Sequence, residues 1–220
     1  MDGIIAVVGQ TQYHDMLEVQ RILNQARNKL VIPDLVIFNE HPPVYTVGLH
    51  KNPGEIVDQS IVPVQIERGG SITYHGPGQM VVYFILNLME RKTNIKAVIQ
   101  SVQAAISELL DEYGIKGEGR LGKETGVWTS GRKICSIGFA IKESSTLHGI
   151  ALNVSTDLKA FDRIHPCGFS SSVMTSMEDE AGMKISFEEV QKKFKDLLVE
   201  KLNIRVVSEL KNFESLKRLV

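Results

Sequence analysis

The sequence predicts an α+β fold, a mixed, largely antiparallel sheet flanked by helices. Strand-like runs dominate the middle of the chain, amphipathic helical stripes bracket them, and at least three hairpin-like turns separate the strands. This pattern differs from a repeating βαβ fold, and no internal repeat is present.

Gly3-Ile-Ile-Ala-Val-Val-Gly9 opens the chain as a strand; it is short and lacks the basic flank of a signal peptide. Met16, Val19, Ile22, Leu23, Ala26 and Leu30 recur at three- and four-residue steps, which marks an amphipathic helix ended by Pro33. Residues 35–38 and 44–47 read as paired strands joined by Asn39-Glu-His-Pro-Pro43, in which proline pushes His41 toward an extended conformation. A polar loop turns at Asn52-Pro53-Gly54. Residues 64–68 and 80–88 then read as strands, the second apolar on both faces and therefore central in a sheet.

The clearest helical stripe runs from Ile95 through Val98, Val102, Ile106 and Leu110 to Tyr113, closed by Gly114. Residues 127–129, 132–142 and 148–154 are strand-like between glycines. Ser186-Phe-Glu-Glu189 fits a capping box that opens a helix along Val190, Phe194, Leu197 and Leu198. A strand at 204–207 and a short tail helix complete the chain. The composition turns Lys/Glu-rich after Ala181-Gly182, a candidate boundary, but the piece beyond it is small and residues 1–220 read as a single domain.

Hydrophobic content of 43% and charged content of 23% are those of an ordinary globular protein. The formal net charge of -1 gives no global basic field for nucleic acid or an anionic membrane, although a local patch can still dock an acidic protein. No apolar run approaches the ~20 residues that span a bilayer. Two cysteines, Cys135 and Cys167, are too few for a disulfide scaffold and lack the spacing of a structural zinc site, so a cytoplasmic setting without metal is expected.

Arg68-Gly-Gly-Ser-Ile-Thr-Tyr-His-Gly-Pro-Gly-Gln79 is unlike a core strand. Gly69 and Gly70 leave the backbone open to a ligand, and Gly76-Pro77-Gly78 makes a turn, so the stretch reads as the wall of a binding site. It holds no nucleophile stronger than a hydroxyl. Cys167, in Ile164-His-Pro-Cys-Gly168, is the candidate: Pro166 stiffens the approach, Gly168 leaves room beside the sulfur, and the following small residues offer N–H groups for an oxyanion. A buried structural cysteine is the alternative reading. Along 132–142, alternation puts Lys133, Cys135, Ile137, Phe139 and Ile141 on one side and Ile134, Ser136, Gly138 and Ala140 on the other. Cys135 then reads as core. Lys133 reads either as a solvated strand end or as a cation partly withdrawn from water, able to act as a base near neutrality. Ser136 and Gly138, with Gly149-Ile-Ala151 after His148, form a narrow surface for a slender ligand or for close packing. Arg68, His75 and His148 border it as structural hydrogen-bonding groups or as site residues.

Glu40-His-Pro-Pro-Val-Tyr-Thr-Val-Gly48, residues 68–79, Gly126-Val-Trp128, Gly131-Arg-Lys-Ile-Cys-Ser-Ile-Gly138, His148-Gly-Ile-Ala-Leu-Asn153 and residues 161–168 together resemble the lipoyl(octanoyl) transferases. Those enzymes move an octanoyl group from acyl carrier protein to a lysine of a lipoyl domain. The resemblance covers residues from about 40 to 176 and implies the fold of the biotin and lipoate protein ligases. It implies Cys167 as the acyl-thioester nucleophile and Lys133 as the proton-handling lysine. The acyl group would be held by Arg68, Gly69, Gly70, Ser71, Ile72, Thr73, Tyr74 and His75, by Ser136, Ile137 and Gly138, and by Gly149, Ile150 and Ala151. It implies no cofactor, octanoyl-acyl carrier protein as donor, and a monomer. The acceptors would be apo-lipoyl domains of 2-oxoacid dehydrogenases and the glycine cleavage H protein. Those partners are typically acidic, which makes Arg132, Lys133 and Arg163 candidates for a basic docking surface. Two positions depart from the family: Cys135, often alanine there, and His165, often asparagine.

Burying the six methylenes of an octanoyl chain would supply roughly 5 kcal/mol at ~0.8 per CH₂. The competing readings are an ATP-dependent lipoate or biotin protein ligase, a cysteine acyl hydrolase, and a non-catalytic acyl- or carrier-binding protein.

Overall fold

A computed structural model of the chain describes residues 1–50 and 52–219, with the backbone alone at Pro53 and Cys167. The elements run β1 (Asp2–Gln10), α1 (Tyr13–Asn28), β2 (Asp34–Glu40), β3 (Val44–Val47), β4 (Val64–Gln65), β5 (Ile72–His75), β6 (Gln79–Ile85) and α2 (Ile95–Asp111). They continue with β7 (Glu118–Arg120), β8 (Gly126–Thr129), β9 (Arg132–Lys142), β10 (Ser145–Asn153), α3 (Met177–Ala181), α4 (Phe187–Lys201), β11 (Arg205–Leu210) and α5 (Phe213–Lys217). Eight strands form the main sheet in the order β11-β1-β2-β6-β10-β9-β8-β7, and β4-β3-β5 form a small second sheet. Among the described residues only β1 with β11 and β1 with β2 pair in parallel in the main sheet, so it is mixed and largely antiparallel as expected.

Alternation decides what each face of the main sheet covers. On β6, Met80, Val82 and Phe84 face the core shared with α2 and α4, whereas Val81, Tyr83 and Ile85 face the α1 side. Phe194 of α4 meets Phe38 of β2 edge to face, 6.2 Å between ring centroids. Val190, Phe194 and Leu198 belong to the same core as the central strands, so the composition change at 181–182 does not divide the packing. The Ser186 Oγ accepts the Glu189 N–H at 3.2 Å, which is the N-cap half of the expected capping box. Gly114, just past α2, takes the left-handed conformation, φ 71°. No helix among the described residues is long and apolar enough to cross a membrane.

Three local expectations change. β2 and β3 are not a hairpin: β2 lies in the main sheet, and β3 pairs with β5 and β4 in the small one. Pro42 and Pro43 have no N–H to give a ladder, and they carry the chain from one sheet to the other. The strand expected over 64–68 stops at Gln65, which frees Arg68 to Ser71 as a loop. A strand unforeseen in the glycine stretch, β5, pairs with β3 in the register Val44↔His75 to Val47↔Ile72.

Candidate active site

The cavity lies where the small sheet and its loop cover β9 and β10. Residues 68–71 are laid along residues 48–50 by three backbone hydrogen bonds, Gly48 N–H to Ser71 O, Leu49 N–H to Arg68 O and His50 N–H to Gly70 O, each 3.1 Å. A Cβ on Gly48 would come within 2.5 Å of the Gly70 oxygen, so only glycine permits this approach. The Gly69 N–H donates to Phe139 O of β9 at 3.2 Å, which ties the loop to the main sheet. Arg68 is mostly buried; its guanidinium donates to Thr46 O (3.0 Å), Thr46 Oγ1 (3.1 Å) and Gly69 O (3.0 Å), so it braces the loop while also bordering the cavity.

The volume enclosed is about 760 Å³, within the range of small-molecule sites. Of the sequence-derived positions, Arg68, Gly69, Gly70, Ser71, Thr73, His75, Lys133, Ser136, Ile137, Gly138, Gly149, Ile150 and Ala151 line it. Ile72 and Tyr74 do not, because alternation on β5 turns them into a small core with Val47 and Phe161. The side chain of Cys167 lies outside the described residues. Its backbone forms a 3-10 turn, Pro166–Gly168, and Pro166 borders the same cavity as Lys133.

Lys133 reaches the cavity through a β-bulge. Cys135 pairs with Val127 and Lys133 with Trp128, which leaves Ile134 as the extra residue on β9. Simple alternation therefore fails at this point: Lys133 does not share a row with Cys135 but lies with Ser136 and Gly138 on the cavity. Lys133 is 5% exposed, which removes the solvated-strand-end reading. Its Nζ lies 5.5 Å from the centroid of Trp128, a cation–π contact. Trp128 is itself fixed by a 2.8 Å bond from Nε1 to Glu124 O, and it meets Phe169, just after the cysteine turn, edge to face at 5.7 Å. Cys135 is fully buried in the core, where desolvation pushes its thiol up to about 12 and keeps it protonated.

A buried polar chain connects the glycine stretch to Lys133. His75 Nδ1 shares a 2.7 Å hydrogen bond with Gln79 Oε1, and Gln79 Nε2 donates to Asn153 Oδ1 at 2.9 Å. Asn153 Nδ2 donates to Thr175 O (2.9 Å), and the Thr175 N–H donates to Lys133 O (3.0 Å). Burial lowers His75 to about 3 and His41 to about 4, so both imidazoles are neutral at pH 7. His41 Nδ1 donates to Thr11 O at 2.7 Å, which makes Nε2 the acceptor of the Tyr83 hydroxyl at 2.6 Å. His148 is 2% exposed and holds a left-handed backbone, φ 63°. Neither ring nitrogen has a hydrogen bond among the described residues; Glu67 Oε2 is 3.8 Å away, and burial keeps the ring neutral.

The amides of Gly168 and Phe169 donate to His165 O and Pro166 O and close the cysteine turn. Arg132 pairs with Glu180 and Arg163 with Asp58, both at 2.8 Å, and those charges are compensated at the surface. Reading the sequence missed Tyr13, Glu55, Val81, Tyr83, Lys123 and Met174, all of which line the cavity. Glu55 and Met174 come from loops whose placement no periodicity encodes, while Val81 and Tyr83 were legible only once the face of β6 was known.

The mixed, largely antiparallel sheet flanked by helices places the chain in the biotin and lipoate protein ligase class of folds. Lipoate-protein ligase A, in a crystal structure with bound ATP, superposes with TM-score 0.77 over 99% of this chain and 93% of that chain, at 19% identity. A biotin protein ligase of Aquifex aeolicus superposes with TM-score 0.54 over 92% of this chain and 69% of that one, at 15% identity.

Residues 12–199 match the model of the lipoyl protein ligase A/B catalytic domain. Probable octanoyltransferase 2 of Picrophilus torridus is 43% identical over 203 residues, covering 92% of this chain and 80% of that protein. The chain belongs to this catalytic-domain family, among its octanoyltransferases, and is an acyltransferase.

Proposed function

We propose that the protein transfers an octanoyl group from octanoyl-acyl carrier protein to a specific lysine of apo-lipoyl domains, through a thioester on Cys167. The observation that carries this reading is the bulge that withdraws Lys133 into the cavity bordered by both the cysteine turn and the glycine loop. A free thiol near 8.5 is only a few per cent ionised at pH 7, and a nearby ammonium raises that fraction.

In the first half-reaction the Cys167 thiolate attacks the carrier's thioester carbonyl. The bond to the carrier sulfur breaks, and Lys133 gives its proton to the departing thiolate. In the second, the neutral acceptor amine attacks the acyl-enzyme, its proton passes to Lys133, and Cys167 leaves as the thiolate. Thiolate and ammonium are both restored. The pair's two titrations are coupled and belong to the pair rather than to either residue.

The acyl chain lies on Ser136, Gly138 and Ala151 with Val81, Ile137, Ile150 and Met174 around it, all bordering the cavity. A Cβ on Gly138 would sit 3.2 Å from Arg68 Cδ, so the glycine lets the Arg68 stem of the loop pack directly on β9 at the edge of the cavity. One methylene more or less changes binding by only about 1–3 kcal/mol, and the chain-length preference is expected to be graded. The acceptors are lipoyl domains of 2-oxoacid dehydrogenases and the glycine cleavage H protein, met by a monomer in the cytoplasm. The unpaired, buried Cys135 supports a reducing compartment.

Transfer from octanoyl-acyl carrier protein to an apo-lipoyl domain should proceed without nucleotide. Modification that requires ATP and free octanoate would instead identify a ligase.

A further inference from the structure

We propose that Glu55 is the carboxylate that receives the amine of the acceptor, a binding subsite for a primary ammonium or amine group at the reacting end of the cavity. This rests on the lysine-acceptor reading above and names a part of the site that the reading does not use.

Glu55 closes the short 3-10 turn Pro53–Glu55, is 8% exposed and lines the cavity. Its Oε2 accepts the hydroxyl of Ser71 in the glycine loop. Its Oε1 lies 3.4 Å from the point a Cβ on Gly168 would occupy, which puts it directly beside the cysteine turn. The Glu55 backbone oxygen accepts the His165 N–H at 2.7 Å, so the same residue is anchored to the start of that turn. Among the described residues no Lys, Arg or His approaches its carboxylate within ion-pair distance.

A largely buried carboxylate is better matched by a charged N–H donor than by a hydroxyl, because the charge-assisted hydrogen bond is the stronger one. The octanoyl donor brings no positive charge to the reacting carbon. The acceptor lysine does: it carries three N–H donors and no acceptor, the complement of a carboxylate that faces the cavity beside the cysteine turn. Glu55 holds this nitrogen and turns its lone pair toward the acyl carbon. It takes no proton in the reaction. The acceptor ammonium loses its first proton to water, and the proton lost during attack goes to Lys133.

The test is single-turnover discharge of the octanoyl-enzyme, formed from octanoyl-acyl carrier protein, for the wild type, Glu55→Gln and Glu55→Asp. Glutamine keeps the shape and the bond from Ser71 but removes the charge. Discharge is measured to an apo-lipoyl domain and, separately, to hydroxylamine, a small nucleophile that is largely neutral at pH 7. A charge-assisted hydrogen bond of this kind corresponds to about 10- to 100-fold. Glu55→Gln should slow discharge to the lipoyl domain by about that factor, with hydroxylamine discharge within about threefold of wild type and Glu55→Asp recovering part of the loss. Equal slowing with both nucleophiles would make Glu55 a mere brace for the cysteine turn and overturn the proposal. So would unchanged discharge to the lipoyl domain. Wild-type protein that forms no octanoyl adduct would overturn the transfer reading itself, and this inference with it.

Discussion

Lys133→Met lowers octanoyl transfer by about 10³-fold, within the 10²–10⁴ that a positioned acid or base contributes, and leaves the fold intact. Methionine keeps an unbranched stem against Trp128 in a site where Lys133 is already almost fully buried. The variant gives up the cation–π contact with Trp128 while relieving the desolvation of the charge, so the urea midpoint should change little. Both half-reactions should slow, because one side chain donates the proton in the first and accepts it in the second. Lys133→Arg separates the two roles: a guanidinium keeps the positive charge but does not deprotonate. That variant should load octanoate better than Lys133→Met and still fail to discharge it. Single-turnover loading and discharge, followed by intact mass, read out both effects. Wild-type rates in Lys133→Met would remove the lysine from the chemistry.

Gly126→Ala should have the next largest effect, and it acts through Lys133. A Cβ on Gly126 would lie 2.4 Å from Cys135 O and 2.6 Å from Lys133 Cε. The first contact is with backbone and cannot yield without shifting β9. Overpacking of this kind costs about 1–3 kcal/mol of stability. Displacing the Lys133 stem by about an ångström is enough to lose 10²-fold in rate. We expect a lower urea midpoint together with at least a 10²-fold slower transfer. A variant as stable and as active as wild type would mean that the bulge does not fix Lys133 in place.

Those two residues also show what the sequence could and could not convey. The central strands, α2 and the capped α4 were legible because hydrophobic period and end signals agree: the Ile95-to-Tyr113 stripe ends at a glycine, and Ser186 caps α4 through the Glu189 amide. The glycine stretch was legible as something other than a core strand because so many glycines would weaken one, and most of its residues from 68 to 75 line the cavity. The partner of β3 was not legible, since Pro42-Pro43 look like a hairpin turn from sequence but move the chain to another sheet. Lys133 was assigned to the row of Cys135 because period-two alternation contains no term for a bulge, and one extra residue, Ile134, reverses every assignment before it. Glu55 was missed for a related reason. Its meaning comes from contacts with Ser71 and the residues around Gly168, which tertiary structure alone brings together.

The most direct test of the account is where the octanoyl group resides between donor and acceptor. The protein is mixed with octanoyl-acyl carrier protein in the absence of nucleotide, its intact mass is measured, and the adduct is mapped in wild type, Cys167→Ser and Cys135→Ser. A single octanoyl adduct on Cys167, absent only in Cys167→Ser and discharged by an apo-lipoyl domain, is the result the account predicts. An adduct on Cys135, or transfer that persists at the wild-type rate in Cys167→Ser, would contradict it.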